Sequence, residues 1–129
     1  MHQGRDDATV AHARRRLGRA AIIGASCYDS LDRAAKAVAE GADYIAFGSF
    51  FPSFTKPAAV RAEAGLLTAA KSRWNVAVVA IGGITAATAP ALIAAGADAL
   101  AVNSAVFGVP DVEASARAFR ELFATRALT

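Results

Sequence analysis

A chain of 129 residues, 55% hydrophobic and 19% charged, is long enough to bury one core and too apolar for general disorder. No apolar run reaches the ~18 residues of a membrane span, and an opening that carries Arg5, Asp6 and Asp7 is no signal peptide. With Cys27 as its only cysteine the chain has no intrachain disulfide and no cysteine-based zinc site, which fits a reducing cytoplasm. The net charge of +3 invites nucleic acid. Most of the basic residues, however, are Arg14, Arg15, Arg16 and Arg19 on one short helix, and no stacking motif or helix-turn-helix pattern accompanies them. A solvated helix face that attracts anionic substrates is the better reading, so neither nucleic acid nor membrane is expected as a partner.

In chain order, Met1 to Asp7 has the polar character of a strand-to-helix loop, with no strand before it. Ala8 to Leu17 is predicted helical and Gly18 stops it. The short apolar run Ala21 to Ser26 is the first strand candidate. Asp29 or Ser30 caps the next helix, where Leu31, Ala34, Ala35 and Val38 fall at helical spacing until Gly41. Tyr44 to Gly48 is the second strand and Glu63 to Arg73 the next helix. Val76 to Gly82 is apolar at every position, the pattern of a parallel strand covered on both faces. Thr85 to Ala95 is predicted helical, with Gly96 closing it. Ala99 to Ser104 is the fourth strand, and Asp111 starts a last helix that runs to about Ala124.

The order is therefore βα repeated over residues 1–129, in one domain with four strands. Gly41-Ala42-Asp43 and Gly96-Ala97-Asp98 are the same turn used twice, helix end into strand start. Such alternation means a parallel sheet with right-handed crossovers and functional residues at the C-terminal strand ends. Ser26, the stretch from Ser49 to Lys56, Gly82-Gly83 and Asn103-Ser104 would then converge on one rim.

Gly48 to Lys56 concentrates the chemistry. Gly48 permits close backbone approach, Pro52 stiffens the loop, and Ser53, Thr55 and Lys56 are the donors a phosphate needs. An ordinary polar connection is the alternative, against which stand Phe50, Phe51 and Phe54. Gly82 and Gly83 run a strand straight into a helix, exposing backbone N–H groups at the positive end of the helix dipole. Asn103 and Ser104 offer similar groups after the following strand, and the loops after the last two strands of (β/α)₈ barrels commonly bind phosphate together.

These segments occur in the order seen in thiamine-phosphate synthases, which nearly all of the chain resembles. Gly24-Ala25-Ser26, Gly41 to Ile45, Ala80 to Ile84 and Gly96 to Asp98 with Ala101 to Ala105 carry the resemblance. Phe51-Pro52-Ser53-Phe54-Thr55-Lys56 is similar to the family's Pro-Thr-x-Thr-Lys, and His2 to Asp7 to its His-x-Gly-Gln-x-Asp. Ser53 stands for the usual Thr, and Arg5 for the usual Gln. The resemblance implies the C-terminal half of a TIM (β/α)₈ barrel, strands five to eight, with a remnant after the fourth. It implies coupling of hydroxymethylpyrimidine diphosphate to thiazole phosphate with Mg²⁺, releasing pyrophosphate. Asp7 would be a Mg²⁺ ligand, and Ser26 and Lys56 would hold the diphosphate as the catalytic pair. Ser53 and Thr55 would contact the thiazole phosphate or the loop around it, and Gly82 or Gly83 with the backbone at Asn103 and Ser104 would cradle that phosphate.

Each assignment has a structural alternative. Asp7 would cap the helix behind it, Ser26 would merely end a strand, and Cys27 and Tyr28 would pack. His2 reads as a loop residue, His12 as an exposed helix residue and Trp74 as the seal of a helix end. A thiazole tautomerase on the same barrel is a rival, but it carries a His where this chain has Ser49. A non-catalytic phosphate-binding half-barrel is the other. Four parallel strands leave two open edges and an apolar inner face, which implies self-association and activity that depends on what completes the barrel.

Overall fold

The computed structural model describes residues 1–4, 7–51 and 62–127. Its strands are β1 (His2–Gln3), β2 (Gly24–Tyr28), β3 (Tyr44–Phe47), β4 (Ala77–Ile81) and β5 (Ala99–Ala101). Its helices are α1 (Val10–Leu17), α2 (Leu31–Ala39), α3 (Gly65–Arg73), α4 (Ala89–Ala95), α5 (Ser104–Phe107) and α6 (Val112–Ala127). All five strands are parallel and stand in the order β1-β2-β3-β4-β5. The sheet thus has one strand more than expected, because His2 and Gln3 pair with Gly24 and Ala25. Two residues give no readable alternation, so only the pairing reveals them. Among the described residues no helix is long and apolar enough to cross a membrane.

Sequential order combined with right-handed crossovers puts every connecting helix on one face of the sheet. Cys27, Ile45, Phe47, Val78 and Ala80 are buried there with Ala34, Leu67, Ala70 and Leu92 from the helices. Register places His2, Gly24, Ser26, Tyr44, Ala46, Ala77, Val79 and Ile81 in rows on the other face. The expectation that β4 is covered on both sides is not met, since Ala77 and Ile81 are exposed. An apolar inner face belongs to a barrel, whose own opposite strands fill it with side chains.

Several helix limits move for identifiable reasons. α1 begins at Val10 because Thr9 is the cap, its side chain accepting from the His12 N–H at 3.2 Å; Asp7 does not cap it. Ser30 caps α2 by accepting from the Arg33 N–H at 3.1 Å, and α2 buries Ala34 and Ala37 while Ala35 faces solvent. α4 begins at Ala89, not Thr85, because Thr85 and Thr88 first bond each other in a turn and a proline sits in the opening helical turn. α5 is a short helix that the apolar pattern does not announce.

The repeated Gly-Ala-Asp is one device built twice. Asp43 Oδ2 accepts from the Ile23 N–H at 2.8 Å, and the Asp43 N–H returns a bond to the Ile23 carbonyl at 2.7 Å. Asp98 and Val78 repeat this at 2.9 and 2.8 Å. Each carboxylate also meets a cation from a helix, Arg14 at 2.7 Å and Lys71 at 2.8 Å. Arg14 is therefore not part of a solvated face. Its guanidinium also donates to the carbonyls of Gly18, Ala21 and Gly41. Arg15 and Arg16 are exposed as expected, and Arg19 lies beyond the end of α1.

Candidate active site

Parallel pairing brings the C-terminal strand ends together. Ser26 lies within β2 and does not end it as expected, because the strand runs from Gly24 to Tyr28. It stands opposite Ala46, with Tyr28 opposite Phe47, Phe47 opposite Ala80, and Ile81 opposite Ala101. The residues that follow these pairs, Gly48-Ser49, Gly82-Gly83 and Asn103-Ser104, therefore leave neighbouring strands along one edge. Backbone bonds tie the first two: the Phe50 N–H donates to the Ile81 carbonyl at 3.3 Å and the Phe51 N–H to the Gly82 carbonyl at 3.1 Å.

Gly82 and Gly83 both have positive φ, 104° and 64°. A Cβ on Gly82 would lie 2.1 Å from Ser49 Oγ, so the missing side chain is what lets the two loops touch. Ser49 donates its hydroxyl to the Phe51 carbonyl at 2.9 Å, which commits it to the loop itself. Asn103 and Ser104 open α5 and are exposed. The first N–H groups of a helix have no intrahelical acceptor, so these are the donors the site can offer at β5.

Ser26 and Asp7 line a common cleft of about 140 Å³, together with Thr9, Arg33 and Lys36. Asp7 Oδ2 accepts from the Gly4 N–H at 2.6 Å, which closes a tight turn after β1 and leaves the carboxylate exposed. Among the described residues no group of three or more His, Cys, Asp or Glu could hold a metal alone. A single hard carboxylate does fit Mg²⁺, which is bound by one or two carboxylates with substrate phosphates and water. Ser53, Thr55 and Lys56 lie outside the described residues.

The structural alternatives divide. Cys27 packs, 1% exposed, and burial pushes its thiol up to about 11, so it stays protonated and is no nucleophile. Tyr28 ends β2 with φ 54°, its ring beneath the Arg33 guanidinium at 5.4 Å. Trp74 closes α3, and His12 is exposed. His2, by contrast, is no loop residue. Its Nε2 lies 2.7 Å from Ser26 Oγ and its Nδ1 2.9 Å from Tyr44 Oη. Sequence reasoning missed this trio because β1 was not read as a strand. Only the pairing of His2 with Gly24, and of Gly24 with Tyr44, puts the three side chains on one face.

A singly wound parallel β/α sheet, with hydroxyls and paired glycines where its strands end, is an architecture of the TIM-barrel class. The thiamine monophosphate synthase family matches residues 1–106, and this chain belongs to that family. The thiamine-phosphate synthase of Thiobacillus denitrificans is 58% identical over 96% of this chain and 59% of its own length. Thiamine phosphate pyrophosphorylase from Pyrococcus furiosus superposes with a TM-score of 0.85 at 33% identity, covering 96% of this chain and 58% of its own. The chain thus spans about three-fifths of the length of these relatives. A 3-hexulose-6-phosphate synthase at 23% identity and TM-score 0.70, over 94% of this chain and 60% of its own, shares the fold alone.

Proposed function

We propose that residues 1–129 form the phosphate-gripping part of a thiamine-phosphate synthase, corresponding to strands five to eight of a TIM (β/α)₈ barrel with β1 the end of the fourth. Its substrates would be hydroxymethylpyrimidine diphosphate and thiazole phosphate. The family match over residues 1–106, with its polar residues at adjacent strand tips, is the observation that carries this reading.

In that reaction the bond between the pyrimidine methylene and the diphosphate oxygen breaks, and the diphosphate leaves with the electron pair. The thiazole nitrogen then donates its lone pair to the same carbon. Negative charge grows on the leaving group, so a donor aimed at it acts more strongly in the transition state than in the ground state. Lys56 and the Ser26 hydroxyl would be those donors. Gly82, Gly83, Asn103 and Ser104 would hold the thiazole phosphate through backbone N–H groups, with Ser53 and Thr55 beside it, so that positioning replaces a protein nucleophile. Asp7 would hold Mg²⁺, which when bound supplies charge neutralisation to the diphosphate. Ser49 supports this reading over the tautomerase, because its hydroxyl is already committed to the Phe51 carbonyl.

Calorimetric titration of thiazole phosphate, and of pyrophosphate with Mg²⁺, beside an assay for thiamine phosphate, tests this. Binding with turnover is the expected result once the barrel is complete. Binding without turnover in that complete form would make the chain a phosphate-binding module, and no binding of either would end the reading. In a completed barrel, Lys56→Ala should lower turnover far more than thiazole phosphate affinity. Equal losses would reject its diphosphate role.

A further inference from the structure

Three side chains on the inner face form one hydrogen-bonded line, Tyr44 Oη to His2 Nδ1 at 2.9 Å and His2 Nε2 to Ser26 Oγ at 2.7 Å. His2 and Tyr44 sit two strands apart, with Gly24 between them in register. They meet because Gly24 has no side chain. A Cβ there would lie 2.0 Å from Tyr44 Cζ, and in its absence the two rings stack with centroids 5.8 Å apart and planes 17° apart.

A neutral imidazole has one N–H and one lone pair, so this line has two polarities. In the first, the Tyr44 hydroxyl donates to Nδ1 and Nε2–H donates to Ser26 Oγ, which leaves the serine hydrogen free. In the second, Nδ1–H donates to Tyr44 and the serine hydrogen is consumed by Nε2. A phenol, with a pKa of about 10, is far more acidic than an aliphatic alcohol and is the stronger donor. Its oxygen shares electron density with the ring and is the weaker acceptor. Both preferences select the first polarity. Burial raises the Tyr44 pKa, which keeps the phenol protonated and able to donate.

We propose that Tyr44 and His2 are positioning residues that hold Ser26 as an obligate donor, its hydrogen free for an anionic oxygen in the cleft it shares with Asp7. Taking that oxygen to belong to a diphosphate rests on the function proposed above. The polarity itself does not, and it is separately measurable.

Long-range ¹H–¹⁵N spectra of the ligand-free chain at mildly alkaline pH read the His2 tautomer directly. The expected result is Nε2–H in the wild type and a mixture with Nδ1–H in Tyr44→Phe, which removes the donor while keeping the ring. Nδ1–H in the wild type, or an unchanged tautomer ratio in Tyr44→Phe, would overturn the proposal. The wild-type spectrum decides even if the variant fails to fold. Titration with inorganic pyrophosphate then adds the functional arm. Affinity should fall about ten-fold in Ser26→Ala and about three-fold in Tyr44→Phe. If the tautomers are as expected and the wild type binds no pyrophosphate, the donor assignment stands and the diphosphate reading falls.

Discussion

Gly82 shows how a single atom sets the geometry of the rim. With φ at +104° and Ser49 Cα only 2.7 Å from where a Cβ would stand, any side chain is both strained and blocked. Gly82→Ala should therefore destabilise the fold by about 2 kcal/mol, read from chemical denaturation. A neutral result would mean that the two loops separate at little cost. Asp43 is a second residue with a measurable signature. The Ile23 N–H it accepts, then the Arg14 guanidinium, hold its carboxyl below the usual carboxylate value. A lowered folded pKa contributes stability above the unfolded value of about 3.9, and that contribution is lost as pH falls through the folded value. Wild type should exceed Asp43→Asn in stability at neutral pH, and the gap should close on acidification below the ordinary aspartate range. A gap that stays constant would deny the carboxylate this role.

At the scale of elements, the two Gly-Ala-Asp turns decide where β2 and β4 begin. Asp98 accepts from the Val78 N–H at the start of β4 and meets Lys71, and both partners lose by its removal. Asp98→Ala should cost about 2 kcal/mol, with Ser30→Ala at the α2 cap costing about 1 kcal/mol, both by denaturant midpoint at constant slope. The repeated tripeptide, the helical spacing after Ser30 and the apolar run at β4 make most of these elements legible in the sequence. The placement of Ser49, Gly82-Gly83 and Asn103-Ser104 beyond neighbouring strand ends was legible for the same reason, since parallel βα order fixes which strand ends share an edge. What stayed hidden depends on pairing between distant segments. His2 and Gln3 are too few to alternate, Arg14 differs from Arg15 only by the carbonyls it reaches, and the His2–Ser26–Tyr44 line exists only once three strands are in register. For Lys56, Ser53 and Thr55 the sequence remains the whole basis of the reading.

Over the whole molecule, one face of the sheet is covered by helices and the other presents Ala77, Ile81 and Ala99 to solvent, with Ile81 44% exposed. Among the described residues β1 pairs only with β2 and β5 only with β4, so both strands are edges of the sheet. Those edges are two and three residues long, which gives a partner strand little to bind. The apolar face is therefore the surface expected to drive association, ahead of the edges. Sedimentation equilibrium should show a mass above the 13.2 kDa of one chain, rising with concentration. Ile81→Lys, which puts a charge on that face at the C-terminal end of β4 and lies in neither edge strand, should shift the distribution toward the monomer. Equal association of both proteins would move the contact to the strand edges. A wild type that stays monomeric at all concentrations would mean that the inner face is not sticky enough to require a cover.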